Sequence, residues 1–211
     1  MSTASDAGFW DRSSRKYAKS PISDQAGYER TLERTRALLK PDDTVLELGC
    51  GTGTTALRLA SEVTSYLATD LSAGMIAIAE EKRAASPIAG LAFRAATAEA
   101  LAFEPARFDA VLGFNYLHLL RDLPGTLRSI HTLLAPGGLF ISKTACLGDM
   151  NPLIRLALPM ARALGKAPYV SVFRAPDLKQ LVSAAGFDIL CAEGHASRGR
   201  DARPYLVARK T

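Results

Sequence analysis

The run Val45-Leu46-Glu47-Leu48-Gly49-Cys50-Gly51-Thr52-Gly53 constrains the fold of this chain more than any other segment. An apolar, β-type stretch carries an acid near its end, three glycines at alternate positions follow, and Thr54–Ala60 then reads as a helix. Glycine permits a tight turn and close approach of a ligand to the backbone. The free N–H groups at the start of the helix then face that ligand. A strand, a bare loop and a helix N-terminus in this order predict a nucleotide-sized binding site.

The glycines alone leave the ligand open. Gly51-x-Gly53-x-x-Ala56 also satisfies the dinucleotide pattern. A pyrophosphate would be repelled by Glu47 in a poorly solvated cleft, whereas the ammonium and sulfonium of S-adenosylmethionine would suit that carboxylate. A solvated glutamate on a turn that binds nothing is the plain structural alternative.

Glu47-x-Gly49-x-Gly51-x-Gly53 resembles the first motif of the class I S-adenosylmethionine-dependent methyltransferases, of the type 11/12-like kind. The resemblance extends through Asp70, Phe108-Asp109 and Leu134-Ala135-Pro136-Gly137-Gly138, over about residues 25–210. It implies S-adenosylmethionine as cofactor and S-adenosylhomocysteine as product, and says little about the substrate; the first reading is a small-molecule methyl acceptor, including an apolar one or a lipid or quinone headgroup. A regulatory protein that binds the cofactor without turnover, and an NAD-dependent oxidoreductase, are the competing classes. The Tyr-x-x-x-Lys pair that would favour the oxidoreductase is missing, since Tyr169 is followed by Phe173.

Bulk properties suit one domain over residues 1–211. With 48% hydrophobic and 22% charged residues the chain is not of disordered composition. No leader pattern and no apolar run of about 20 residues predicts a membrane span. Cys50, Cys146 and Cys191 have neither metal-like spacing nor an even count, so reduced thiols in a cytoplasmic protein are expected, with no metal. The net charge of +5 is uneven: residues 1–149 hold 16 Lys/Arg against 17 Asp/Glu, and residues 150–211 hold 10 against 4. That basic segment, which includes Arg155, Arg162, Arg200 and Arg203, would suit an anionic substrate or a peripheral membrane contact. No aromatic-interleaved basic stripe is present, and nucleic acid is not an expected partner.

Periodicity predicts a doubly wound, mostly parallel α/β sheet of seven strands. They are Val45–Leu48, Val63–Thr69, Leu91–Arg94, Phe108–Phe114, Leu139–Lys143, Phe187–Ala192 and Pro204–Arg209. The last two have only Gly194–Arg203 between them and should form an antiparallel hairpin, with helices on both faces of the sheet. Helices are expected at Tyr28–Leu39, after a Ser72 cap, after an Asp122 cap up to Pro136-Gly137-Gly138, and at Pro176–Ala185. Residues 1–24 read as a partly ordered N-terminal arm.

Position assigns the candidate contacts. Asp70 ends the second strand, where a carboxylate accepts from both ribose hydroxyls, and Leu71 and Met75 could wall the adenine. The family commonly has an acid and a small residue after the third strand. This chain has Thr97 and Ala98 there, with Glu99 two residues after Thr97, and the Ala98 backbone N–H is available to the adenine. The resemblance sets Phe114 and Asn115 beside the sulfonium. His118 is the one good base near that strand end, and Tyr116 has a comparable claim. The resemblance also lets Tyr17, on the arm, reach the methionine carboxylate while Trp10 packs on the domain. The last expectation is a substrate-covering insertion at about residues 146–172, split into short helical pieces by Pro152, Pro159 and Pro168.

Overall fold

In a computed structural model, residues 3–199 and 201–211 are described. Arg200, and the side chains of Ile154 and Arg155 in the expected insertion, lie outside the described residues.

Five strands run parallel from one edge: β3 (Leu91–Ala95), β2 (Ser65–Asp70), β1 (Thr44–Leu48), β4 (Phe108–Phe114) and β5 (Leu134–Lys143). The antiparallel β7 (Tyr205–Lys210) follows, and β6 (Phe187–Glu193) closes the far edge, paired antiparallel to β7. The expected α/β class and the terminal hairpin are both present. Strand order reverses between β1 and β4. Their carboxyl ends are therefore where a ligand crevice belongs.

Alternation along β1 shows how the sheet is covered. Leu46 and Leu48 join one apolar core with Leu117, Leu127 and Phe140. Val45 faces the other core, with Leu32, Leu59 and Tyr66. Helix α2 (Gln25–Arg36) covers the second face and buries Leu32 and Thr35. Helix α4 (Ala73–Ala85) begins at Ser72, whose hydroxyl accepts from Met75 N–H at 3.1 Å. Helix α6 (Leu123–Leu133) begins at Asp122, which accepts from Gly125 N–H at 2.9 Å. The one-turn helix α3 (Ala56–Leu59) joins α2 and α4 on the Val45 side, while the one-turn α5 (Ala98–Leu101) and the longer α8 (Ala175–Ala184) join α6 on the Leu46 side, so helices cover both faces.

Three expectations are corrected. The N-terminal arm is a 16-residue helix, α1 (Thr3–Ala18), packed along α4. Its anchor is polar: Asp11 Oδ1 accepts from Ser72 Oγ at 2.6 Å and from Gly74 N–H at 2.9 Å. Helix α6 ends at Leu133, before Pro136-Gly137-Gly138, which instead lies within β5, where the pairing with β4 shifts register. The insertion is not a set of fragments either. Pro152 takes the first turn of α7 (Pro152–Ala163), where its missing N–H costs nothing, and the helix continues through Pro159.

Candidate functional site

A cavity of about 710 Å³ opens at the carboxyl ends of β1, β2 and β4. Of the residues singled out from sequence it gathers Tyr17, Gly49, Gly51, Asp70, Leu71, Met75, Thr97, Glu99, Phe114, Asn115, Tyr116 and His118. Glu47, Cys50, Gly53 and Ala98 are not in its lining.

The glycine loop divides its tasks. Gly53, at φ +74°, faces packing: a Cβ there would lie 2.7 Å from the Phe93 ring and 2.9 Å from Ala79. Gly51, at φ +54°, faces the cavity, and a Cβ would meet only Tyr17 at 3.6 Å. Gly51 N–H donates to Asp70 Oδ2 at 3.0 Å, and Ser72 N–H donates to Oδ1 at 2.9 Å. Burial raises the Asp70 carboxyl above its usual range, against the pull of those two N–H groups. Each carboxylate oxygen has a further lone pair for a ligand hydroxyl.

Glu47 sits elsewhere. Its carboxyl belongs to the same face of β1 as Val45, is 2% exposed, and accepts from Tyr66 O–H at 2.9 Å. Burial pushes it up to about 7, with the Tyr66 hydrogen bond opposing and the Asp70 charge adding. The charge argument that separates a cationic ligand from a pyrophosphate therefore passes to Asp70, which lines the cavity together with Asp6, Glu99 and Asp122. Cys50 is buried behind the loop, and burial drives its thiol far up.

Beyond β3, the Thr97 hydroxyl accepts from Ala100 N–H at 3.3 Å and caps α5, with Ala98 fully buried below. Glu99 accepts a hydrogen bond from Thr126 of α6. Met75 is buried at the start of α4.

At the other end, Asn115 has φ +52°, a left-handed conformation that asparagine tolerates, and its N–H donates to Lys143 O at 2.7 Å. The Tyr116 ring fills the space beside Gly49, where a Cβ would come within 2.6 Å, and burial holds its hydroxyl far above the usual phenol range. His118 Nδ1 lies 2.9 Å from Thr144 Oγ1, which also accepts the His118 backbone N–H at 3.2 Å. Burial, then the nearby Arg203, push the imidazole down to about 4. It is neutral at pH 7 and free to accept a proton, though a weak base.

Sequence reasoning missed several wall residues, because long-range contacts bring them in. Asp6 of α1 pairs with Arg121 through two bonds of 2.6 and 2.8 Å. The Arg121 guanidinium lies 4.3 Å from the Tyr169 ring centroid and that of Arg162 lies 4.9 Å from it. Among the described residues of the insertion, Pro168, Tyr169 and Val170 reach the cavity. The apolar side chains of α7 at Leu153, Leu156 and Met160 are exposed. Of the other histidines, His131 packs on Phe187, and His195 stacks on Tyr205 with Nδ1 3.0 Å from Thr31 Oγ1.

A family model described as a methyltransferase domain matches residues 22–192. The chain is 32% identical over 200 residues to the zebrafish mitochondrial arginine-hydroxylase NDUFAF5, covering 87% of this chain and 60% of that one. It is 32% identical over 120 residues to a demethylmenaquinone methyltransferase of Symbiobacterium thermophilum, covering 55% and 46%. The chain thus spans about half the length of the curated relatives it matches. Among solved structures it is similar to the magnesium protoporphyrin IX methyltransferase of Synechocystis PCC 6803 with bound S-adenosylhomocysteine. That match has a TM-score of 0.70 and 18% identity, and covers 95% of this chain and 93% of the other.

Proposed function

The chain belongs to the methyltransferase-domain family, within the class I S-adenosylmethionine-dependent superfamily, and from that premise we propose that it methylates a small molecule in the cavity at the β1–β4 switch. The observation that carries this reading is the pairing of an open Gly51 with the cavity-lining Asp70 carboxylate. A side chain at Gly51 would enter the space a cofactor needs, and Asp70 has lone pairs free for two ribose hydroxyls.

S-adenosylmethionine supplies an activated methyl group, so the protein has only to align an acceptor and exclude water. Asp70 and the Gly51 backbone would hold the nucleoside, and Leu71, Met75 and the Thr97–Glu99 turn would flank its base. Tyr17 of α1 stands over the loop at the amino-acid end, with Trp10 beside it at 6.0 Å between ring centroids. Helix α1 would thereby act as the cover of the cofactor. Phe114 and Asn115 would border the reacting methyl, and the neutral His118 would accept the acceptor's proton. Tyr116, buried and far from ionising, would shape the wall. Residues 146–172 would supply the acceptor side through Pro168–Val170.

Incubating the protein with S-adenosylmethionine and a panel of phenols, quinones and lipid headgroups should yield S-adenosylhomocysteine and a product heavier by one methylene. Binding of S-adenosylmethionine with no turnover on any acceptor would favour a regulatory role, and binding of NADH in its place would end the reading. The similarity to arginine hydroxylases over 200 residues favours one second reading, arginine as substrate. Arginine, free or in a peptide, that gains one oxygen and no methyl group when dioxygen and a reductant are supplied would select it.

Among the described residues no helix is long and apolar enough to cross a membrane. Cys50, Cys146 and Cys191 are free thiols.

A further inference from the structure

A second cavity of about 490 Å³ adjoins the first and shares Phe114, Asn115 and Arg203 with it. Lys143, the last residue of β5, lies in its wall in register with Phe114. Its ammonium is half-buried and donates to the neutral Thr31 hydroxyl at 3.0 Å. Neither Lys143 nor Arg203 forms an ion pair among the described residues.

Three aspartates also line this cavity, and each is fixed as a backbone cap. Asp24 accepts from Gly27 N–H and Ser197 N–H, both at 2.9 Å. Asp149 accepts from Ala175 N–H at 2.8 Å. Asp201 accepts from the N–H groups of His195, Ala196 and Arg203 at 2.8 to 2.9 Å. Their fields reach Lys143: Asp201 and Asp24 favour its charge, while burial, Arg203 and Arg30 oppose it, and the balance lowers its pKa. Neither cation has a carboxylate at ion-pair distance among the described residues, and an anion placed between them would supply that contact, against the field of the three capped aspartates. Apolar walls at Ile22, Phe114 and Met150 accompany them.

We propose that this second cavity is an anion subsite in which Lys143 and Arg203 hold a carboxylate or phosphate of the methyl acceptor. The acceptor half of this statement rests on the function proposed above. An acceptor anchored there lies against Asn115 and Phe114, the residues shared with the cofactor cavity. Specificity for an acidic acceptor would follow from direct contacts to Lys143 and Arg203, which must outweigh the aspartates in the same wall.

The test uses the full chain, with and without saturating S-adenosylhomocysteine, titrated by ligand-observed NMR with benzoate, phenyl phosphate and neutral benzamide. One anion should bind at least tenfold more tightly than benzamide, and the stronger of the two identifies the group. K143M should weaken that anion at least fivefold without changing S-adenosylhomocysteine binding, R203M should weaken the anion at least fivefold, and K143R should retain most of it. Anions that bind no better than benzamide, or that bind both variants as they bind the parent, would overturn the proposal. Arg203 is exposed, so R203M carries the test if K143M fails to fold. Anion capture as described without any S-adenosylhomocysteine binding would overturn the methyl-donor reading and leave the anion subsite standing.

Discussion

At the β1–β2 end of the cleft polar groups are fixed by other polar groups, whereas at the β4–β5 end Lys143 and Arg203 have no ion pair among the described residues and apolar side chains of α7 face solvent. Asp70 is held by two backbone N–H groups, and α1 is clasped by Asp11 to Ser72 and Gly74 and by Asp6 to Arg121. Lys143 has only a neutral hydroxyl, and α7 turns Leu153, Leu156 and Met160 to solvent. Fixing polar groups in advance lowers the cost of binding a ligand that never varies. The other end leaves its interactions to be completed by whatever binds. A superfamily that keeps one cofactor and changes acceptors would divide its cleft in this way.

The largest effect that would break this comparison is expected at Gly51. Valine there must hold φ near +54° and place its branches in the cavity beside Tyr17. S-adenosylhomocysteine affinity should fall at least 1,000-fold, about 4 kcal/mol, in a calorimetric titration of G51V. The left-handed backbone adds roughly 1–2 kcal/mol of strain, visible as a lower unfolding midpoint. A folded G51V that binds within tenfold of the parent would show that the cofactor end is not rigid.

A smaller effect is expected from Glu47, whose folded pKa of about 7 lies above its ordinary 4.5. The folded state binds this proton more tightly, so the stability it contributes is complete below about pH 4.5. It is lost as pH rises through 7. E47Q keeps an acceptor for Tyr66 and has no proton to lose. Between pH 5 and pH 8 the parent should lose about 2–3 kcal/mol more stability than E47Q, read from urea unfolding. Parallel pH profiles would show that Glu47 is not sealed behind the loop.

The sheet was legible because its strands carry their own evidence. Phe108–Phe114 is apolar almost throughout, as a strand covered on both faces must be, and it is β4 residue for residue. The caps at Ser72 and Asp122 were legible for the same local reason. Helix α1 was not. It has few apolar residues, and its anchors lie 61 and 115 residues away along the chain, where no periodicity records them. Glu47 shows the opposite failure: the motif was plain, but alternation along β1 turns its side chain to the Tyr66 face. The helix expected to run up to Pro136-Gly137-Gly138 stops at Leu133, because Leu134 pairs with Phe108 in β5 and register with β4 outweighs local helical pattern. Arg203 was noted only as one of many basic residues, and nothing near it in sequence marks its place between two cavities.

The smallest effect, and the one that most sharpens the contrast, belongs to α7. Leu156 is 79% exposed and Met160 is 72% exposed, four residues apart on one face. Burial of such side chains would be worth about 1.5–3 kcal/mol each, so replacing both by glutamine distinguishes a free face from a packed one. The double variant L156Q/M160Q should differ from the parent by less than about 0.5 kcal/mol in urea unfolding, as surface changes do. Its S-adenosylhomocysteine affinity should be unchanged, since neither Leu156 nor Met160 lines the cavity. A loss above 1 kcal/mol that is independent of protein concentration would mean that α7 packs on its own domain in solution. A loss that grows on concentration would mean a second copy covers the face. Either result would give the acceptor end a fixed partner and remove the asymmetry between the two halves of the cleft.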